Sequence, residues 1–135
     1  MKIIILDDSP TVQMILESLL EDLGVDEDEM HLFEDGHEAL NFIKDSGADI
    51  IFSDVNMPKM HGSEFVKKVL AFNPLLVSSL FVISADNEIV DLKKMKKSGA
   101  HRYIKKPIDS HLFSHFIVPE LLKIRAREAL DDRIN

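Results

Sequence analysis

The chain has 135 residues, 45% of them hydrophobic, with no cysteine and 16 Lys/Arg against 24 Asp/Glu, a net charge of −8. That length suits one domain with a real core, the lack of cysteine rules out disulfides and fits a reducing cytoplasm, and the acidic balance argues against nonspecific binding to nucleic acid or a membrane surface. Apolar runs such as 3–6 and 75–77 fall well short of the roughly 20 residues a membrane helix needs, and no cleavable signal pattern opens the chain, so a soluble cytoplasmic domain is expected.

Short apolar, β-rich runs alternate with amphipathic segments, the pattern of an α/β fold with a parallel sheet. Lys2 to Leu6 reads as the first strand and Thr11 to Leu23 as a helix, with Val12, Ile15, Leu16, Leu19, Leu20 and Leu23 at three- and four-residue steps. Ser9 before Pro10 is a start signal and Gly24 a stop signal. The acidic run Asp26 to Glu29 reads as a solvated loop. Met30 to Phe33 is a second strand, followed by a helix from about Gly36 to Lys44. Ile50 to Ser53 is a third strand, apolar enough to be central. A loop through Pro58 and Gly62 leads to a helix over Ser63 to Phe72. Leu80 to Ser84, Glu88 to Lys97 and Arg102 to Lys105 then read as strand, helix and strand. Asp109 or Ser110 can cap a last helix carrying Leu112, Phe113, Phe116 and Ile117. Pro119 would kink it or begin a new helix through about Asp132. Beyond Pro119 the apolar residues form no continuous stripe, so weak packing, a partner contact or a linker role is expected there.

Strict alternation of five strands and five helices suggests a doubly wound sheet, whose ligands sit at the carboxyl ends of the strands. The polar residues at those ends are Asp7 and Asp8, Asp54, Ser84, and Lys105 with Lys106. Clustered carboxylates repel: two like charges about 4 Å apart cost on the order of 4 kcal/mol at an effective dielectric of 20. Either one stays protonated or a cation compensates. With no Cys or His at the strand ends, the hard oxygens favour magnesium over zinc. With a metal present, one carboxylate can attack phosphorus and form an aspartyl-phosphate, a reaction that asks mainly for positioning and charge neutralisation. Asp54 is the preferred nucleophile, because an apolar central strand leads into it.

At these residues the sequence resembles the response-regulator receiver family of two-component signalling, over roughly residues 2–118. The features are Ile-Leu-Asp-Asp at 5–8, Ile-Ile-Phe-Ser-Asp-Val-Asn-Met-Pro at 50–58, Gly62, Val-Ile-Ser-Ala at 82–85, Gly-Ala at 99–100 and Lys-Pro at 106–107. The resemblance implies a flavodoxin-like, doubly wound five-stranded parallel sheet in the order 2-1-3-4-5 with helices on both faces. It implies a receiver at 1–118 followed by a helical extension or linker at 119–135. Asp54 would be the phosphoacceptor, Asp8 a direct Mg2+ ligand, Asp7 a ligand mostly through water, and Asn56 a ligand through its backbone carbonyl. Ser84 and Lys106 would meet the phosphoryl group, and Ser84 with Tyr103 would form a switch that alters a surface of the fourth helix, fifth strand and fifth helix. Such a protein is a signalling switch that catalyses only its own phosphoryl transfer and dephosphorylation. Its partners would be a sensor histidine kinase or histidine phosphotransfer protein and an output protein or domain. His61 before Gly62 and Ile108 after Lys-Pro depart from the family pattern without touching this chemistry.

Blander readings exist for each residue alone. Asp7 and Asp8 could cap the first helix, Asp54 could be a turn residue before Met-Pro, Lys106 a solvated lysine, and Tyr103 an edge-strand packing residue. The lysines at 93, 94, 96 and 97 read as a solvated face, with a docking surface as the alternative, and Met57 and Met60 as loop packing. His111 and His115 have helical metal-pair spacing but no evident third ligand. Competing functions are a receiver fused to an effector and a phosphohydrolase using Asp as nucleophile. The latter would need a cap insertion for which loops this short leave little room.

Overall fold

Strands buried on both faces need near-continuous apolar runs, and the segments that have them form the sheet. The computed structural model describes residues 1–85 and 89–134. β1 (Ile3–Leu6), β2 (Met30–Phe33), β3 (Ile50–Asp54), β4 (Leu80–Ser84) and β5 (Tyr103–Lys105) are all parallel, in the order β2-β1-β3-β4-β5. The helices are α1 (Pro10–Asp22), α2 (Gly36–Ser46), α3 (Gly62–Phe72), α4 (Ile89–Ser98) and α5 (Ser110–Ile134). Alternate strand residues feed two cores. Ile4, Leu6, Ile51 and Val82 pack with α2, α3 and α4, whereas Ile3, Ile5, Phe52 and Phe81 pack with α1 and α5. Phe52 anchors the second core, its ring 5.7 Å from Phe81 and 5.6 Å from Phe113. Truncating such a ring costs about 3–5 kcal/mol, so this triad is a main tie between sheet and α5.

Local signals act as anticipated at several ends. Ser9 Oγ accepts from Val12 N, Pro10 occupies the first turn, and Gly24 follows the helix with φ +89°. Asp109 caps α5, its Oδ1 accepting from Leu112 N at 2.9 Å. The proposed helix start at Glu88 lies outside the described residues.

Three expectations are corrected. In α1, Ile15 faces solvent while Gln13 is buried, because the backbone groups it bonds lie inside. Asp26–Glu29 is not simply solvated: Glu27–Glu29 is a 3-10 turn, and Glu29 accepts two 2.7 Å bonds from Arg125 and one of 3.0 Å from the Met1 amine. The last helix does not restart at Pro119; α5 runs unbroken through it. A proline inside a helix costs about 3 kcal/mol. Beyond it Leu121 and Ile124 are buried, each contributing about 1.5–3 kcal/mol, and Arg102 Nη1 grips Glu120 Oε1 at 2.8 Å. Those contacts outweigh the break, and the expectation of weak packing fails for these turns. Among the described residues no helix is long and apolar enough to cross a membrane.

Candidate functional site

β1 and β3 are hydrogen-bonded neighbours, with Leu6 opposite Ser53, so the residues that follow emerge side by side. Asp7 and Asp54 are buried and Asp8 is exposed, and one carboxylate oxygen from each lies within 4.8 Å of the others. Asp7 Oδ1 accepts from Ser9 N at 2.8 Å. Its Oδ2 is buried without a hydrogen-bond partner, 3.5 Å from Lys106 Nζ. Asp54 Oδ1 accepts from Val55 N at 2.8 Å and from Lys106 Nζ at 3.2 Å. Gln13 steadies the β1 end, its Nε2 donating to the Asp7 carbonyl at 2.9 Å and the Phe33 carbonyl at 3.2 Å.

The electrostatics follow from that crowding. Burial, then the Asp7 charge, lifts Asp54 to about 6 against the pull of Lys106. Burial likewise raises Asp7, with the Ser9 amide and Lys106 working the other way. Burial opposes charge on Lys106, but the Asp54 and Asp7 carboxylates outweigh it and raise its pKa. One amine faces two buried carboxylates and a third at the surface, so the site is short of positive charge.

A buried carboxylate oxygen that accepts no hydrogen bond, among hard oxygen donors, fits a divalent cation such as magnesium, which takes one or two carboxylates and retains water. Asn56 stands just after β3, exposed between buried Val55 and Met57. Gly62 closes this loop, its N–H bonding the Val55 carbonyl at 2.7 Å. A Cβ there would stand 2.5 Å from the Asp54 carbonyl oxygen, so only glycine permits the approach.

Ser84 ends β4, buried, and its carbonyl accepts from Lys106 N at 2.7 Å, so Ser84 and Lys106 share one edge of the site. Tyr103 lies one strand over, opposite Val82 and half-buried, its hydroxyl donating to the Ala100 carbonyl at 2.9 Å. The structure thus joins Asp7, Asp8, Asp54 and Lys106 directly, sets Ser84 beside Lys106, and leaves Tyr103 bonded elsewhere. Met57 and Met60 are buried in the loop, as packing requires. His111 and His115 are exposed, and among the described residues only Asp7, Asp8 and Asp54 form a metal-competent group. Sequence reading passed over two contributors. Gln13 is a polar residue within the helical pattern of 11–23, with no local signal of its contacts. His61 caps α3, its Nδ1 accepting from Ser63 N at 3.1 Å; a capping role for His carries almost no sequence signal.

The sequence matches the family described as Response regulator receiver domain over residues 3–117. It is 33% identical over 107 residues to chemotaxis protein CheY-3 of Vibrio cholerae serotype O1, covering 79% of this chain and 81% of that one. Among solved structures it is similar to V. cholerae CheY4, with a TM-score of 0.70, 29% identity and coverage of 93% and 96%. The same fold occurs in the receiver domain of the sensor histidine kinase PA1611 from Pseudomonas aeruginosa, with TM-score 0.75, 21% identity and coverage of 86% and 93%. That structure holds magnesium in its active-site cleft.

Proposed function

The chain belongs to the response regulator receiver domain family, and on that basis we propose that Asp54 accepts a phosphoryl group from a histidine kinase or histidine phosphotransfer protein. Receiver domains are signalling proteins that work with histidine kinases and downstream partners, so a switch rather than a metabolic enzyme is the premise. The observation that carries the reading is the pairing of a buried Asp54 with Lys106 at 3.2 Å beside a buried Asp7 oxygen that accepts no hydrogen bond and has the same amine at 3.5 Å.

An Asp54 oxygen attacks phosphorus, the bond from phosphorus to the donor's imidazole nitrogen breaks, and the imidazole leaves with the electron pair. Asp7, Asp8, Asp54 and the Asn56 carbonyl would hold magnesium, which when bound neutralises charge on the phosphoryl oxygens. Lys106 meets one of those oxygens and holds the acyl phosphate against its charge. The Ser84 hydroxyl donates to another, and such a bond to a charged acceptor is worth roughly 1.5–3 kcal/mol. Water attack on phosphorus later releases phosphate and restores the carboxylate. Ser84 and Tyr103 lie on adjacent strands, so a shift at Ser84 alters the space Tyr103 occupies and with it the surface of α4, β5 and α5. This makes a cytoplasmic regulator whose receiver, 1–118, carries the chemistry, while the helix beyond Pro119 packs on the core through Ile124 and its last turns lead toward a partner or output segment.

Mass spectrometry after treatment with a small phosphodonor tests the core of this reading. One adduct should form only with a divalent cation and vanish in Asp54→Asn; an adduct surviving that substitution puts the nucleophile elsewhere. For the switch, amide NMR shifts on adding beryllofluoride should spread from Asp54 to Tyr103 and α4 in wild type. In Ser84→Ala they should stay at the metal site, and equally widespread changes would leave Lys106 as the carrier.

A further inference from the structure

Charge is segregated along this chain. Residues 55–107 hold ten Lys/Arg against four Asp/Glu, a net +6, while the remainder holds six against 20, a net −14. The positive part supplies α3, β4, α4 and β5, one side of the sheet order. Within it a groove of about 370 Å³ runs between α3 and α4, lined by Ser63, Glu64, Lys67, Lys94, Lys97 and Ser98. All three lysines are exposed, and none makes an ion pair among the described residues. Glu64, the groove's one carboxylate among the described residues, is already engaged by Lys68 at 3.1 Å. The walls are firmly set: Val66, Val69 and Met95 are fully buried beneath them. Just past the groove Gly99 ends α4 with φ +112°, a backbone conformation that favours glycine.

We propose that the α3–α4 groove docks an acidic segment of a partner protein, whose carboxylates meet Lys67, Lys94 and Lys97. Firm walls with amines that have no ion-pair partner among the described residues need little reorganisation to receive such a ligand. The occupant is argued from charge on two scales. Within a Debye length of about 8 Å, a short acidic segment feels mainly the three amines, since Glu64 is offset by Lys68. An extended polyanion such as nucleic acid or an anionic membrane also meets the −14 of the rest of the chain and is repelled. Lysines, compact hydrated charges without the guanidinium fork, suit single carboxylates and fast electrostatic encounter. The groove is separate from the 350 Å³ cavity at Leu92, Lys93, Lys96 and Tyr103, and the docking does not rest on the phosphoryl reading.

The test is an amide NMR titration of the full chain with a Glu-rich peptide of about twelve residues, at low salt and at physiological salt. Shifts should cluster at Ser63, Lys67, Lys94, Lys97 and Ser98 and weaken as salt rises. The triple change K67E/K94E/K97E should weaken binding about tenfold or more with an unaltered melting temperature, whereas K93E/K96E should leave it within about twofold. Should the triple variant misfold, K94E and K97E singly should each give part of the loss. Shifts centred on Lys93, Lys96 and Tyr103, or affinity indifferent to the groove lysines, overturn the proposal. So does a single-stranded oligonucleotide that binds the groove as tightly as the peptide. Beryllofluoride uptake, followed in the same samples, reports the Asp54 chemistry separately.

Discussion

Lys106 Nζ stands 3.2 Å from Asp54 Oδ1, a bond between residues 52 positions apart in the sequence that ties the turn after β5 to the end of β3. The same amine lies 3.5 Å from Asp7 Oδ2, so one cation serves two buried carboxylates. Lys106→Met should therefore lower metal-free stability at pH 8 by roughly 1–3 kcal/mol, since it leaves charge buried without compensation. Urea denaturation measures this, and an unchanged midpoint would mean the amine does not neutralise the pair.

Acidification should act on Asp54 with a definite sign. Its folded value of about 6 lies above the unfolded value near 3.9, so the fold binds the proton more tightly than the unfolded chain does. The Asp54 contribution to metal-free stability therefore falls as pH rises from about 4 to about 6, and the full deficit persists above that. Asp54→Asn removes it, so the variant's advantage over wild type should grow across this window toward roughly 2–3 kcal/mol, less whatever Lys106 loses with its partner. Comparing the two proteins also cancels Glu29, which Arg125 holds down at about 2 and whose stabilisation is lost in the opposite direction, as pH falls below about 4.5. A pH-independent difference would remove the strain assigned to Asp54.

Magnesium should raise thermal stability, because only the folded chain assembles the three carboxylates. The gain should follow binding linkage, about 2.7 kcal/mol at a hundredfold excess over the dissociation constant. Asp8→Ala should blunt this response while raising metal-free stability, as it removes a repelling charge. Wild-type melts that ignore magnesium would refute the metal site.

Gly62→Ala should injure the fold and the site together. The new methyl would meet two backbone carbonyl oxygens, at 2.5 and 2.8 Å, and neither can swing aside as a side chain would. A loss of roughly 2–4 kcal/mol is expected by chemical denaturation, with weaker magnesium binding. Stability within about 0.5 kcal/mol of wild type would show that the loop has room to shift.

The end of α5 should divide into a structural part and a dispensable part. Arg125 bonds Glu29, and the Met1 amine pairs with Glu29 at 3.0 Å and Glu128 at 2.8 Å, so the packed stretch reaches Glu128. Truncation after Glu128 should change stability little. Truncation after Val118 exposes the core around the missing Leu121 and Ile124 and should cost roughly 3–6 kcal/mol. Asp54 phosphorylation should survive in whatever fraction of that shorter chain folds. Equal stability of the two truncations, read by calorimetry, would make the whole segment a mere extension.

By itself the sequence determined the alternation of strands and helices, since apolar runs and three- and four-residue steps are local patterns. It also placed Asp7, Asp8, Asp54, Ser84 and Lys106 at strand ends, which a parallel sheet must gather along one edge. Only the tertiary structure decided what depended on partners distant in the chain. Pro119 reads as a kink or the start of a new helix; Leu121, Ile124 and the Arg102–Glu120 pair hold α5 as one helix through it. The acidic run at Asp26–Glu29 reads as solvated until Arg125, 96 residues away, closes on Glu29. Gln13 carries no local signal of its role, and only the fold shows it bridging the carbonyls of Asp7 and Phe33. Each of these depends on a free energy gained by long-range contact, and a local pattern of residues carries no measure of that.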